Sequence, residues 1–168
     1  MKQHRNGTGG SGMSKGRITG IHHIGVTVND ADRTVKMWAE ALGVDGKVVD
    51  VPQNDLRIGI IRVAGITFFF NEYTSEARQT SAVGDLELPV TYSGHRIVNQ
   101  VGEGISHIAL ETTDLDSQLA QAKQAGMAVL HAENKDALEG VCNFLSPEDA
   151  GLPLEFMQAI EGRENPLA

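Results

Sequence analysis

The chain has little positive charge, a single cysteine and no long apolar run. Lys and Arg number 14 against 22 Asp and Glu, and they never cluster. A net charge of −8 without a basic patch gives a phosphate backbone no surface on which to release its counterions. Nucleic acid is excluded as a partner. Cys142 stands alone, which rules out a disulfide framework. It reads as a small buried hydrophobe. No hydrophobic stretch approaches the ~20 residues needed to cross a bilayer, and none has the make-up of a signal peptide, so a cytoplasmic protein without membrane contact is expected. Aromatic residues make up only 5% of the chain. Trp38 and the run Phe68, Phe69, Phe70 are read as core and cleft lining, not as a cofactor box.

What is present is enough for a core: 168 residues, 40% of them hydrophobic, suit one globular domain or two small modules sharing one. The second possibility is supported by an internal repeat. Ile21-His22-His23-Ile24-Gly25-Val26-Thr27-Val28-Asn29-Asp30-Ala31-Asp32 returns as Gly104-Ile105-Ser106-His107-Ile108-Ala109-Leu110-Glu111-Thr112-Thr113-Asp114-Leu115-Asp116. His23 and His107 are 84 positions apart, and the same offset pairs Ile24 with Ile108, Asp30 with Asp114 and Asp32 with Asp116. A register kept without a gap means one supersecondary unit used twice, with a seam between the copies.

Both copies alternate as half-buried strands do. Ile24, Val26 and Val28 share one face and His23, Gly25 and Thr27 the other; in the second copy Ile108, Leu110 and Thr112 oppose His107, Ala109 and Glu111. The two histidines therefore emerge on the polar, small-residue face, away from the helix-packed side. Asp30 and Asp114 stand where N-caps belong, each before a helical pattern: Ala31, Val35, Trp38, Leu42 and Leu115, Leu119, Ala122, Gly126. Gly43 and Gly126 suit helix ends. Strand-like segments follow at Lys47–Val51, Leu56–Val63 and Ile66–Glu72, and again at Ala128–Ala132, Gly140–Leu145 and Leu152–Gln158. The expected organisation is a domain over 20–160, built of modules 20–75 and 104–160. A long Gly-rich connector, 76–103, contains Pro89 and a short helical possibility at His95–Val101, and suits a lid or an interface arm. Residues 1–19 read as a disordered leader or an appended linker, with Met13 a candidate native start and no role for His4; 161–168 are expected to fray.

Tandem strand-helix-three-strand units with HHIGV at the first strand, SHIAL at the fifth and LPLEFMQ at the last resemble the vicinal oxygen chelate superfamily, which includes glyoxalase I, extradiol dioxygenases and bleomycin-resistance proteins. Within it, the run from His95 to His107, then Asn143-Phe144-Leu145-Ser146-Pro147 and Leu154-Glu155-Phe156-Met157-Gln158, looks most like methylmalonyl-CoA epimerase. The resemblance implies an α+β fold in which tandem βαβββ modules form a cleft between curled mixed sheets, a glyoxalase-like arrangement, and a homodimer. It also implies that His23, His107 and Glu155 hold a divalent metal. Alternation agrees, because Glu155 points away from Leu154 and Phe156. The first module departs from the pattern: aligning Gly65-Ile66-Thr67-Phe68-Phe69 with Gly151-Leu152-Pro153-Leu154-Glu155 puts Phe69 where a fourth ligand, Glu or Gln, would stand. Asn71 shares the parity of Phe69 and could reach the metal or its water, whereas Glu72 should face away unless a bulge shifts the register. His22, His95 and His131 have no repeat partner and are read as surface or hydrogen-bonded residues.

Two histidines and one carboxylate leave coordination positions open, as a catalytic ion requires. The reaction this implies is proton abstraction next to a carbonyl, with Co, Ni, Zn or Mn as Lewis acid and Glu155 as both ligand and base. The substrate implied is an acyl-CoA thioester or another oxygen-chelating carbonyl compound, although 14 Lys and Arg do not advertise a site for coenzyme A phosphates. Glu111 is a weak candidate for a second acid/base by parity alone. The rivals are an Fe(II) extradiol dioxygenase, a glyoxalase-type lyase whose usual four-ligand site Phe69 would break, and a non-catalytic binding protein of the bleomycin-resistance kind.

Overall fold

In the computed structural model, which describes residues 16–52, 55–74 and 103–163, Asp30 and Asp114 each begin a helix as their side chains accept from the backbone N–H three residues on, Arg33 and Ser117. These caps satisfy donors that a helix start otherwise leaves unpaired. The first module runs β1 (Ile18–Thr27), α1 (Ala31–Leu42), β2 (Gly46–Val51), β3 (Leu56–Val63), β4 (Ile66–Tyr73). The second runs β5 (Gly104–Thr112), α2 (Leu115–Gln124), β6 (Lys135–Asp136), β7 (Gly140–Leu145), a single turn α3 (Pro147–Ala150), and β8 (Leu154–Ala159). Gly43 ends α1 with φ 65°, and Gly126, φ 89°, follows the end of α2.

All the strands join one curled mixed sheet in the order β2-β3-β4-β1-β5-β8-β7-β6. β1 runs parallel to β4 and β5 parallel to β8, while β1 and β5 pair antiparallel and form the seam. The repeat holds at atomic register. Gly25 pairs with Phe69 and Ala109 with Glu155, which confirms that Phe69 and Glu155 occupy equivalent places. One further equivalence ties each helix to its module: the backbone N–H of Ala31 donates to Glu72 Oε2 at 2.9 Å, and that of Leu115 to Gln158 Oε1 at 2.7 Å.

Each helix covers one face of its own half-sheet. Val28, Ala31, Val35, Ile61 and Phe70 form the core under α1, and Leu115, Leu119, Ala122, Leu145 and Phe156 the core under α2. On the opposite, concave face of the first module, Val51, Ile58, Ile60 and Phe69 form a third cluster, packed against Leu138 of the second module. Burial on both faces explains why Leu56–Val63 is apolar almost throughout.

Three differences from the sequence expectation stand out. β1 starts at Ile18, inside the stretch expected as leader, because Arg17 and Thr113 exchange backbone and side-chain hydrogen bonds and extend the seam. Ala128–Ala132 is not a regular strand: it makes an isolated bridge, Val129 to Leu145, and then diverges. The cause is Asn143, whose amide accepts from His131 N–H and donates to His131 C=O, taking the place of ladder bonds. The hairpin partner of β7 is instead the two-residue β6. Arg163, in the expected tail, donates to the carbonyls of Ala137 and Gly140 and pins the β6–β7 turn. Residues 1–15 of the expected leader, including His4 and Met13, residues 76–102 of the connector with Pro89 and His95–Val101, and 164–168 lie outside the described residues. Among the described residues no helix is long and apolar enough to cross a membrane.

Candidate metal centre

The seam decides which side chains meet. Across β1 and β5, His23 pairs with Ala109 and His107 with Gly25, so each histidine lies over a small residue of the other module. A Cβ on Gly25 would run into the His107 ring. The two rings consequently meet edge to face, with Nε2 of His23 and Nε2 of His107 2.8 Å apart. β8, parallel to β5, brings Glu155 Oε2 to 3.2 Å from His107 Nε2 and 3.6 Å from His23 Nε2. Residues from three strands and both modules thus converge on one point, and their donor atoms lie within 4.8 Å of one another.

All three groups are largely withdrawn from water: His23 is 6% and Glu155 5% exposed. Burial, opposed by the charge of Glu155 and aided by the neighbouring imidazoles, pushes His23 down to about 3. Burial acts to raise Glu155, but the hydrogen bond and charge of His107, then His23 and the Cys142 thiol, hold it down at about 2. A neutral imidazole beside an ionised carboxylate is the protonation state in which these residues bind metal. Donor separations of 2.8, 3.2 and 3.6 Å also fit a divalent ion with bonds of about 2.0–2.2 Å, whose adjacent ligand atoms stand roughly 3 Å apart. The donor set fits.

Each of the three has an outer partner. His23 Nδ1 is 2.8 Å from His22 Nδ1, and His22 Nε2 is 2.7 Å from Glu139 Oε1. His107 Nδ1 is 3.1 Å from Ser106 Oγ. The Cys142 thiol hydrogen-bonds Glu155, and burial followed by the charge of Glu155 pushes that thiol up, so it is inert as a nucleophile at neutral pH.

Phe69 lies at the equivalent of Glu155, stacked on the His23 ring with centroids 4.3 Å apart. It fills the fourth place with an apolar face. Asn71 is buried two pairs further along, opposite Thr27. Glu72 turns to the other face, where it binds Ala31 N–H and Arg57, as strand parity requires of a residue next to a cleft-facing one. The Glu111 carboxylate accepts from Thr19 Oγ. His131 is buried, bound through its backbone to Asn143, its ring 6.1 Å from Phe144. His95 lies outside the described residues.

The roles of His22 and Glu139 were not legible beforehand. Between Ile21 and His23, β1 advances two residues while β5 advances one, from Leu110 to Ala109, so His22 is the extra residue of a bulge. A bulge breaks the strict alternation of a strand and re-aims its side chain. The adjacent pair His22-His23 in the seam strand was the available signal.

The sequence profile of the glyoxalase/bleomycin resistance protein/dioxygenase superfamily matches residues 22–145. The chain belongs to this superfamily. No curated protein matches it in sequence. Among solved structures, this glyoxalase-like chain is similar to methylmalonyl-CoA epimerase from Mycobacterium tuberculosis, at 18% identity and a TM-score of 0.68 over 85% of this chain and 89% of that one. It is also similar to a hypothetical protein from Bacillus halodurans, at 22% identity and a TM-score of 0.68 over 89% and 99% of the two chains. A third is the Streptomyces coelicolor methylmalonyl-CoA epimerase in complex with 2-nitronate-propionyl-CoA, at 24% identity and a TM-score of 0.65 over 85% and 99%. At these identities the likeness is one of fold.

Proposed function

We propose that this protein is a metal-dependent isomerase of the superfamily, an epimerase that removes and returns a proton next to a carbonyl. The convergence of His23, His107 and Glu155 from two paired modules carries the reading. A divalent ion held by these residues would supply Lewis-acid polarisation of a carbonyl oxygen and so acidify the adjacent C–H.

The chain's own residues set the rest. His23 and His107 present Nε2 as donor atoms, and Glu155 remains ionised. Glu155 is proposed as both ligand and proton acceptor. A carboxyl held at about 2 is a weak base, so it works in that role only on a strongly acidified proton, the condition that carbonyl polarisation creates. Phe69 puts no donor atom at the place equivalent to Glu155, so a bound ion would keep coordination positions for substrate oxygens. Epimerisation requires return of the proton on the opposite face. The likeness in fold to methylmalonyl-CoA epimerases, one of them solved with an acyl-CoA analogue, supports a small acyl thioester as substrate.

The test is exchange of the α-proton. The metal-loaded protein is incubated with methylmalonyl-CoA in D2O, and deuterium incorporation and loss of optical purity are followed. Catalysed exchange abolished in His107→Ala supports the reading; no exchange with any divalent ion defeats it. Phe69 and Leu138 also favour a second reading, a ligand-sequestering protein whose apolar cleft wall does the binding. That reading requires His23→Ala to leave small-molecule binding intact.

A further inference from the structure

Glu139 is an unusual residue to find buried. Only 6% of it is exposed, it sits in the turn between β6 and β7, and it bonds not to a cation of its own module but to His22 of the first. The turn is held on both sides. Leu138 packs on Val51, Ile58, Ile60 and Phe69, while Arg163 binds the carbonyls of Ala137 and Gly140 and the Asp136 carboxylate. Placing a carboxylate in an apolar setting is costly unless it is hydrogen-bonded, and here its partner is the residue that the β1 bulge turns inward.

We propose that Glu139 and His22 form a positioning relay that fixes the tautomer and orientation of His23. The inference rests on the reading of His23 as a metal ligand through Nε2. A neutral imidazole that donates its Nε2 lone pair to a metal carries its proton on Nδ1. His23 Nδ1 therefore donates to His22 Nδ1, 2.8 Å away. His22 Nδ1 must accept, so the His22 proton is on Nε2, directed at Glu139 Oε1 at 2.7 Å. With His22 neutral, the carboxylate acceptor at its Nε2 fixes the direction of both bonds. Metal-bound histidines ordinarily give their second N–H to a carboxylate or a carbonyl. Here a second histidine is inserted between, and the carboxylate comes from the other module, so the relay also braces the β6–β7 turn against the cleft.

The ring-nitrogen tautomers are read by NMR in 15N-labelled, metal-free protein at fixed pH, and Zn2+ affinity by competition with a chromophoric chelator. The wild type is expected to hold His23 as the Nδ1–H form and His22 as the Nε2–H form. Glu139→Gln keeps an acceptor oxygen and should retain both tautomers and affinity within about threefold. Glu139→Leu and His22→Phe should mix the His23 tautomers and weaken Zn2+ binding about 10–100-fold, the usual cost of losing an outer partner. A role confined to packing would instead make the isosteric Gln and Leu variants alike. His23 held on Nε2–H in the wild type, or wild-type tautomers and affinity in Glu139→Leu, overturns the relay and leaves the metal reading standing. If the wild type binds no divalent ion, the metal reading fails, and the metal-free spectra still decide the relay.

Discussion

Gly25 and His107 face each other across the β1–β5 seam, and the imidazole occupies the space that a Cβ on Gly25 would need. Gly25→Ala should therefore displace His107 from His23 and Glu155. Overpacking of this kind costs about 1–3 kcal/mol, read as a lowered urea midpoint, and Zn2+ affinity should drop with it. Gly20→Ala, with nothing near its Cβ, is the control on the same strand. Equal behaviour of the two variants would contradict the packing of His107 against the seam.

Metal content tests the donor set directly. Protein purified without added metal should carry a divalent ion near one equivalent by elemental analysis, and His107→Ala, His23→Ala and Glu155→Gln should each lose it. Iron in place of Co, Ni, Zn or Mn would favour dioxygenase chemistry, and oxygen uptake on a catechol would be measured next.

Phe69 takes the place that Glu155 has in the other module. Phe69→Gln should supply a fourth donor and tighten Zn2+ binding, while losing the stacking on His23 and the contacts with Val51, Ile58 and Ile60. Removing that much buried aromatic surface lowers stability by about 2–4 kcal/mol. Unchanged affinity in a folded variant would mean that the position does not reach the metal.

The metal-free protein should weaken as pH falls. Unfolded, His23 takes up a proton near 6.5, but folded only at about 3. Between those values the unfolded chain binds more protons, so stability is fully present above pH 6.5 and declines below it, by at most about 1.4 kcal/mol per pH unit for this group. Glu155 acts in the same direction from 4.5 down to about 2. A thermal midpoint measured in chelator should fall from pH 7 to 4, and less steeply in His23→Gln. Parallel curves for the two proteins would remove His23 as the cause.

Much of this site was legible beforehand because a strand repeat fixes facing. The offset between His23 and His107, the N-caps at Asp30 and Asp114, and the parity of Phe69, Glu72 and Glu155 depend on backbone periodicity, which acts over a few residues. Ala128–Ala132 failed as a strand for the converse reason. Its apolar pattern is sound, but the side chain of Asn143, more than ten positions away, competes for its backbone.

By itself the sequence determined the two modules, their helices and most of their strands, and which face carries the histidines and the carboxylate, since these follow from local propensity and alternation. The tertiary structure decided the rest. Only the antiparallel β1–β5 register sets His107 over Gly25 beside His23, and only the bulge at Ile21–His23 turns His22 inward to meet Glu139. Register and bulge are set by pairing between strands far apart in the chain, so no single stretch encodes them.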